Sequence, residues 1–412
     1  MPRDPFVLGL PWRLPHYQPL SGPHPVVDAF VRGNGAVRTV DLADGGGTFT
    51  PTQLQDVTLA ITRQARQIPQ SQVESLVERL NVADQLKVEA HTAPVDALFL
   101  HTAPLYAGTR PWIFHFESFP SLFMPFMFTG FNAGVDLPAQ EYFGLVRSAL
   151  ESPNCLRIFS HMRSSVEILM RTFDSPLIAK KASHVPLGIA GPDPERALAA
   201  YDAADRVRIL FTNSLHHDPY SFYLRGGHLL LEAYQRARRR RRNLDLTVLS
   251  SRPPNLMQHF TPAHLAGVHW IDTRVDDATL EQLLLEHHLF ALPAAGLHSY
   301  SMLRALAHGC VPIVSDALGY EEYVAGIEDS VLRVTGVRDV VYRAEPAGWV
   351  SDDYRPFLET FEPLVRQIHD GLLAHADLAH LRDLAGRNLA HCKRQHALDA
   401  SHAAFNRMLP DD

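Results

Sequence analysis

Arg225, Gly226 and Gly227 occupy a position where residue type and spacing suit the binding of phosphate. A predicted strand over 207–211 precedes them, and an apolar helical pattern begins at Gly226. Glycine lets the backbone approach a ligand closely, the start of a helix offers amide donors, and the guanidinium fork matches phosphate oxygens. The pattern therefore predicts a phosphate-binding loop in which Arg225 and Gly226 contact the ligand.

Three further predicted strands end in a histidine. The strands lead into His101, His115 and His161, and Glu117 follows His115 by two residues. In an open parallel sheet, ligands bind beyond the carboxyl ends of the strands. An ordinary solvated loop position is the alternative for each histidine taken alone. Because several such strands occur together, we regard these four side chains as candidate ligand contacts.

The stretch 290–324 predicts one complete α/β unit. An apolar strand ends near Pro293, a helix carries Met302, Leu303 and Leu306 on one face, and a second strand covers 311–314. The loops 293–301 and 315–322 then lie at strand ends and should line a site. Arg304 could reach a phosphate or an acidic sugar from this helix, or could equally be a surface residue.

Composition and missing motifs exclude several classes of function. The chain has 412 residues, 46% hydrophobic and 20% charged, with a formal net charge of -7, which argues against a general nucleic-acid binder. It contains no Gly-x-Gly-x-x-Gly fingerprint, no Walker-type run and no Asp-x-Asp triplet, which disfavours nicotinamide cofactors, P-loop chemistry and the commonest metal–diphosphate site. Three separated cysteines indicate a reducing compartment and buried, inert thiols.

Strands that alternate with helices predict an α/β fold with a doubly wound parallel sheet in each half. No apolar run is long enough to span a membrane, so we expect a cytoplasmic protein. The arginine run 238–242 fits a helix C-terminus, and peripheral contact with the inner membrane face is the alternative. We predict an N-terminal domain over 1–190, a C-terminal domain over 206–375 and C-terminal helices over 376–412 that return to the first domain.

Four segments resemble bacterial GT-B glycosyltransferases, and are most similar to glycosyltransferase family 4. The resemblance spans about residues 95–325 and therefore covers both predicted domains. The segments are Pro111-Trp-Ile-Phe-His115, the stretch 160–189 that ends in Val185-Pro-Leu-Gly-Ile189, the strand 209–214 with Arg225-Gly-Gly-His228, and the stretch 290–324.

The resemblance implies two Rossmann-like domains that face a cleft, and a nucleotide-diphosphate sugar as donor, with no cofactor and no metal. It implies a hydroxyl acceptor, which could be a glycan, a lipid or a small molecule in polysaccharide or glycoconjugate biosynthesis, and retention of anomeric configuration. His115 and Arg225 would be catalytic, and His101, Glu117 and His161 would face the acceptor or sugar. The implied donor contacts are Ser214, Arg225, Gly226, His298, Ser299, Tyr300, Ser301 and Arg304.

The sequence also departs from this family's pattern. Ser214 stands where the family has an arginine, Arg225 replaces a lysine, and the paired glutamates correspond to about Gly296 and to Arg304. The leading hypothesis is a glycosyltransferase of the EC 2.4 class. The alternatives are a catalytically degenerate, glycosyltransferase-like binding or partner protein, and a nucleotide-sugar epimerase. The sequence leaves the oligomeric state open.

Overall fold

The structure is a computed structural model that describes residues 4–11, 25–42, 88–102, 106, 108–123, 127, 130–213 and 220–410. Packing divides the described chain into two compact units. The first unit contains the described residues up to Gly188 together with 343–352 and 398–410, and the second contains 189–342 and 353–397.

The first unit is built on a six-stranded parallel sheet with the strand order β2-β1-β3-β4-β5-β6. Its central strands β3 and β4 are buried along their whole length, as expected where both faces of a parallel sheet are covered. The strands are β1 Phe6–Leu10, β2 Val37–Asp41, β3 Ala97–His101, β4 Trp112–His115, β5 Cys155–Ser160 and β6 Ala182–His184.

The last helix of the chain, Leu398–Met408, belongs to the first unit, as the predicted return of the C-terminus requires. Phe405 stacks on Phe30 with ring centroids 5.6 Å apart, and the Arg157 guanidinium donates to the Met408 carbonyl oxygen over 2.7 Å. The described part of this unit also contains the helices Pro25–Val31, Glu141–Glu151, Arg163–Phe173, Pro176–Lys181 and the 3-10 helix Phe119–Phe123.

The second unit has its own six-stranded parallel sheet, with the order β12-β11-β10-β7-β8-β9. Strands β7 and β10 are neighbours although the chain first runs outward from β7 through β8 and β9. The strand order therefore reverses between β7 and β10, which is where open α/β sheets bind ligands. The strands are β7 Val207–Thr212, β8 Leu244–Leu249, β9 Val268–Ile271, β10 Leu289–Leu292, β11 Val311–Ser315 and β12 Leu332–Val334.

The long helix Leu378–Gln395 packs within the second unit. Its Asn388 amide donates to the Ser330 carbonyl over 3.0 Å. Of the two last described helices, Leu398–Met408 therefore belongs to the first unit and Leu378–Gln395 to the second. The other helices here are Pro194–Ala203, Ser221–Leu224, Gly227–Arg240, Leu256–His259, Asp277–Glu286, Ser299–Ala307, Glu321–Val324, Val337–Val341, Arg355–Glu359 and Glu362–Ala374, with 3-10 turns at Pro262–Leu265 and Glu328–Ser330.

A short excursion, 343–352, interrupts the second unit and packs in the first. It contains most of the two-stranded sheet β13 Tyr342–Ala344 and β14 Val350–Asp352. Asp352 Oδ1 accepts from the Gly130 amide over 2.8 Å, and the Asp352 amide donates to Asn132 Oδ1 over 2.6 Å. The sequence prediction had instead drawn the second domain as continuous over 206–375.

Two further observations concern the predicted compartment. Within the described ranges, none of the helices combines the length and the apolar character needed to cross a membrane. Cys155, Cys310 and Cys392 are free and buried, and burial raises the pKa of the Cys155 and Cys392 thiols to about 12. Thiols held in this way stay protonated and unreactive near neutral pH.

Candidate functional site

The segment 220–226, which precedes the helix Gly227–Arg240, and the loop that follows β10 meet at the point where the second sheet reverses its strand order. The Ala295 amide donates to the Leu224 carbonyl oxygen over 2.8 Å, which joins the two segments. Gly226 has φ +77°, and a Cβ on it would collide with the Pro293 carbonyl oxygen. Only glycine fits this left-handed, crowded position without strain. The predicted phosphate loop is therefore held against the predicted ligand loop of β10.

Two helices begin at this junction. Gly227–Arg240 starts directly after Gly226, and Ser299–Ala307 starts after His298. The first amide groups of a helix have no acceptor within the helix and carry the positive end of its dipole. Arg225 is only 6% exposed and lies beside the first of these helix starts. A buried guanidinium next to two helix N-termini favours an anionic ligand.

His298 is held uncharged next to this cation. Desolvation, with a smaller contribution from the nearby Arg225 charge, lowers the pKa of His298 well below its usual range. The residue as a whole remains partly exposed. A neutral imidazole can donate one hydrogen bond and accept another, so His298 can contact a polar ligand without adding charge to the site.

Two tyrosines occupy the surroundings of Gly296, and sequence reasoning missed both. A Cβ on Gly296 would lie 2.8 Å from the Tyr354 hydroxyl and 3.7 Å from the Tyr342 hydroxyl, and Tyr342 donates to the Ala295 carbonyl over 3.2 Å. A glutamate at position 296 would have to displace the Tyr354 hydroxyl. Because these tyrosines follow Gly296 by 46 and 58 residues, no local pattern links them to the loop.

The remaining predicted donor contacts fall into different places. Ser299, Tyr300 and Ser301 form the first turn of the helix Ser299–Ala307, and Ser299 is buried. Arg304 lies in the same helix, but its guanidinium donates to Asp277 Oδ1 over 3.1 Å. Ser214 lies outside the described residues. The donor-binding roles of all five stay predictions.

In the first unit, the predicted histidines form a hydrogen-bonded chain. His101 and His115 face each other in register at the ends of β3 and β4, with their Nδ1 atoms 2.8 Å apart. His161, the residue directly after β5, places its Nδ1 2.9 Å from His115 Nε2. All three rings are buried, and Phe30 and Phe159 pack against His115 with ring centroids 5.4 and 4.9 Å away.

Glu117 stands at one end of this chain. Its Oε1 lies 4.0 Å from His101 Nε2, and its side chain is 35% exposed. The backbone at this position is fixed, because Ser160 and Ser165 both donate to the Glu117 carbonyl, over 3.2 and 3.0 Å. His115 itself is fully buried, and both its ring nitrogens are engaged by the other two histidines. Its predicted contact with a donor sugar stays a prediction.

The histidines extend along a line and do not converge. Among the residues that the structure describes, no group of three or more His, Cys, Asp or Glu side chains is placed to hold a metal ion. The two N···N contacts therefore describe a hydrogen-bonded chain of three imidazoles.

Comparison with known proteins gives a likeness in fold. No family model matches the chain, and no curated protein matches it in sequence. WaaG, a glycosyltransferase involved in lipopolysaccharide biosynthesis, aligns with a TM-score of 0.60 at 13% identity over 98% of this chain and 100% of its own.

Trehalose-phosphate synthases align similarly. The UDP-forming enzyme from Burkholderia xenovorans, in complex with glucose-6-phosphate, has a TM-score of 0.59 at 12% identity over 98% of this chain and 99% of its own. A structure from E. coli bound with UDP-2-fluoro glucose has a TM-score of 0.56 at 11% identity, over 98% of both chains. The chain thus has the GT-B fold of these glycosyltransferases, which confirms the predicted fold class.

Proposed function

We propose that this protein is a glycosyltransferase that moves a sugar from a nucleotide-diphosphate donor to a hydroxyl acceptor. The observation that carries the proposal is the anion site of the second unit. Buried Arg225 and the starts of two helices lie at the strand-order reversal of a sheet whose fold is that of known glycosyltransferases. Fold alone does not determine activity, so the argument rests on the site.

The chemistry of the proposed reaction matches this site. When the bond between the anomeric carbon and the diphosphate oxygen breaks, its electron pair moves to that oxygen, and negative charge develops there. The acceptor oxygen forms the new bond to the anomeric carbon, and the proton of the acceptor hydroxyl passes to the departing diphosphate. Preorganised cationic and amide donors lower the energy of that charge. Arg225 and the amides at the starts of the helices Gly227–Arg240 and Ser299–Ala307 would supply these donors. In this scheme no metal ion is needed to neutralise the diphosphate.

The finer assignments follow the resemblance to family 4. We assign Ser299 and Ser301 as supporting donors, and we assign retention of configuration to the reaction. Neutral His298 suits contact with a sugar hydroxyl, because it brings no second positive charge beside Arg225. The donors and acceptors bound by the structural neighbours, UDP-2-fluoro glucose and glucose-6-phosphate, make hexose-based substrates the first to test.

A non-catalytic binding protein is the second candidate, and one observation favours it. Neither position of the paired glutamates carries a carboxylate: Gly296 faces the Tyr354 hydroxyl, and Arg304 contacts Asp277. Such a protein could retain the anion site and bind the donor without turning it over. Binding and turnover therefore have to be measured separately.

Calorimetric titration with a panel of nucleoside diphosphates tests the anion site. We expect selective binding by the wild type, and a loss of about 10- to 100-fold in affinity for Arg225→Ala, because a charge-assisted hydrogen bond to phosphate contributes roughly 1.5–3 kcal/mol. Arg196→Ala is the matched control, since Arg196 is exposed in the same unit and pairs with Glu281 at 3.8 Å. Equal affinities for the wild type and Arg225→Ala would contradict the assignment.

A further inference from the structure

Gly296 provides space for a hydroxyl group beside the anion site. Its backbone is not in the left-handed region, so the backbone conformation does not require a glycine there. A Cβ at this position would lie 2.8 Å from the Tyr354 hydroxyl oxygen and 3.6 Å from the ring carbon that carries it. A Cβ does not approach another heavy atom within 3.0 Å unless one of them moves. The missing side chain at position 296 therefore leaves room for the Tyr354 hydroxyl.

The loop that carries Gly296 is held by hydrogen bonds on both sides. The Ala295 carbonyl oxygen accepts from the Tyr342 hydroxyl over 3.2 Å, and the Ala295 amide donates to the Leu224 carbonyl oxygen over 2.8 Å. Leu224 directly precedes Arg225 in the chain. The loop and the segment that carries the buried guanidinium thus have a fixed relative position.

A backbone hydrogen bond brings the two tyrosines to the same place. The Asp353 amide donates to the Val341 carbonyl oxygen over 2.9 Å, and these residues adjoin Tyr354 and Tyr342 in the chain. Both hydroxyl oxygens lie within 3.7 Å of the same Cβ position on Gly296. Residues 293–301 contain no Asp, Glu, Lys or Arg. The loop and the two tyrosines therefore present polar groups without a carboxylate or a cation.

We propose that the Tyr354 hydroxyl contacts the sugar of the donor, and that Tyr342 is a positioning residue that holds the loop. This inference rests on the proposed glycosyl transfer. In a nucleotide-diphosphate sugar, the anomeric carbon is bonded to an oxygen of the diphosphate, so the sugar lies next to the groups that bind phosphate. Sugar hydroxyls are uncharged and both donate and accept hydrogen bonds, as tyrosine hydroxyls do.

A phenol hydroxyl suits this place better than a carboxylate would. It has one donor and two acceptor sites, so Tyr354 can keep a partner in the protein and still bond to a sugar hydroxyl. A carboxylate only accepts, and its charge would lie near the diphosphate oxygen on which negative charge develops. Two charges of the same sign repel, and more strongly where water is excluded. Tyr354 can therefore hold the sugar without opposing the departure of the diphosphate.

Calorimetry that compares a nucleoside diphosphate with its nucleotide sugar tests the role of Tyr354. The probes are UDP with UDP-2-fluoro glucose, and matching pairs for the other nucleosides, of which the pair that the wild type binds most tightly is used. Tyr354→Phe removes only the hydroxyl. We expect it to weaken the affinity for the nucleotide sugar about five- to tenfold, and to change the affinity for the nucleoside diphosphate less than about twofold.

Two results would overturn the inference alone: an unchanged affinity of Tyr354→Phe for the nucleotide sugar, or an equal loss for the nucleoside diphosphate. An equal loss would place the hydroxyl at the nucleoside or the phosphates. No binding of any nucleoside diphosphate by the wild type would overturn the proposed function, and this inference with it.

Tyr201→Phe is the matched control, because it removes a tyrosine hydroxyl elsewhere in the same unit. The Tyr201 hydroxyl lies 2.6 Å from the Gly309 carbonyl oxygen and 3.1 Å from that of His288. Gly309 and His288 precede β11 and β10, so this hydroxyl lies at the edge of the sheet opposite to the anion site. Tyr201→Phe should lower the unfolding temperature and leave both affinities at their wild-type values.

Gly296→Ala tests the same contact from the side of the loop. The added methyl group takes the place of the Tyr354 hydroxyl, without a left-handed backbone to add strain. We expect the same selective, about five- to tenfold loss of nucleotide-sugar affinity. In the Tyr354→Phe background, Gly296→Ala should cost less than about a further twofold, because the hydroxyl that it displaces is already absent. Losses that simply multiply in the double variant would contradict the proposed contact.

Discussion

At the scale of single residues, this protein buries several histidines that it keeps uncharged. His228, at the start of the helix Gly227–Arg240, is surrounded by Tyr223, Phe357 and Phe361. Desolvation lowers the pKa of His228 to about 4, and that of His287 also to about 4. An imidazole buried in aromatic surroundings resists protonation because the charged form loses its hydration.

Acid should therefore destabilise the second unit through His228. In the unfolded chain His228 protonates below about pH 6.5, whereas the folded form stays neutral down to about 4. The contribution of neutral His228 to the unfolding free energy is fully present above pH 6.5 and is lost as the pH falls towards 4. At pH 4.5 the loss in unfolding free energy amounts to about 2–3 kcal/mol. Urea unfolding at pH 7 and 4.5 should show a smaller pH dependence for His228→Leu than for wild type.

The exposed His269 supplies the control for this comparison. His269→Leu should keep the pH dependence of the wild type, because its imidazole is solvated in both states. If His228→Leu lost as much stability between pH 7 and 4.5 as the wild type does, burial of His228 could not be the cause.

At the scale of elements, the anion site depends on how one helix starts. Gly226 must hold a left-handed backbone and must also lie against Pro293. The backbone angle alone costs a non-glycine residue roughly 1–2 kcal/mol, and crowding adds roughly 1–3 kcal/mol. The position of Arg225 and of the first helix amides therefore depends on this one glycine.

Gly226→Ala tests this dependence. We expect a loss of roughly 2–5 kcal/mol in unfolding free energy, and nucleoside-diphosphate affinity at least about tenfold weaker. Gly326→Ala is the matched control, since Gly326 has φ +86° in the same unit but no atom within 4 Å of an added Cβ. Gly326→Ala should lose only the roughly 1–2 kcal/mol of unfolding free energy that the left-handed backbone costs, and its nucleoside-diphosphate affinity should be unchanged. Equal losses in the two variants, by thermal unfolding and calorimetry, would contradict the account.

The arrangement of strands and helices also shows which parts of the candidate site the sequence could predict. Local patterns placed His101, His115 and Glu117 at strand ends, because apolar runs followed by polar residues define where buried strands stop. They also placed Arg225 and Gly226 before a helix. They could not predict that His115 and His161 bond to each other, or that Tyr354 lies at Gly296, because those contacts depend on packing between distant segments.

At the scale of the whole molecule, the chain leaves and re-enters its units more often than the sequence indicates. The returning helix Leu398–Met408 was predictable, since the helices after residue 354 exceed what one crossover needs. The excursion 343–352 was not, because it is short and its contacts are specific. Trp349 is buried near Phe119, with ring centroids 6.4 Å apart, and Arg171 donates to the Gly348 carbonyl over 2.6 Å.

The central claim is that a GT-B fold with this anion site transfers sugar from a nucleotide donor. A screen of nucleotide-diphosphate sugars tests it most directly, with hexose and hexose phosphate acceptors and with nucleoside-diphosphate release as the readout. We predict release from one or a few donors by the wild type, and release reduced at least about tenfold for Arg225→Ala. Release no higher than for Arg225→Ala with every donor would contradict the claim.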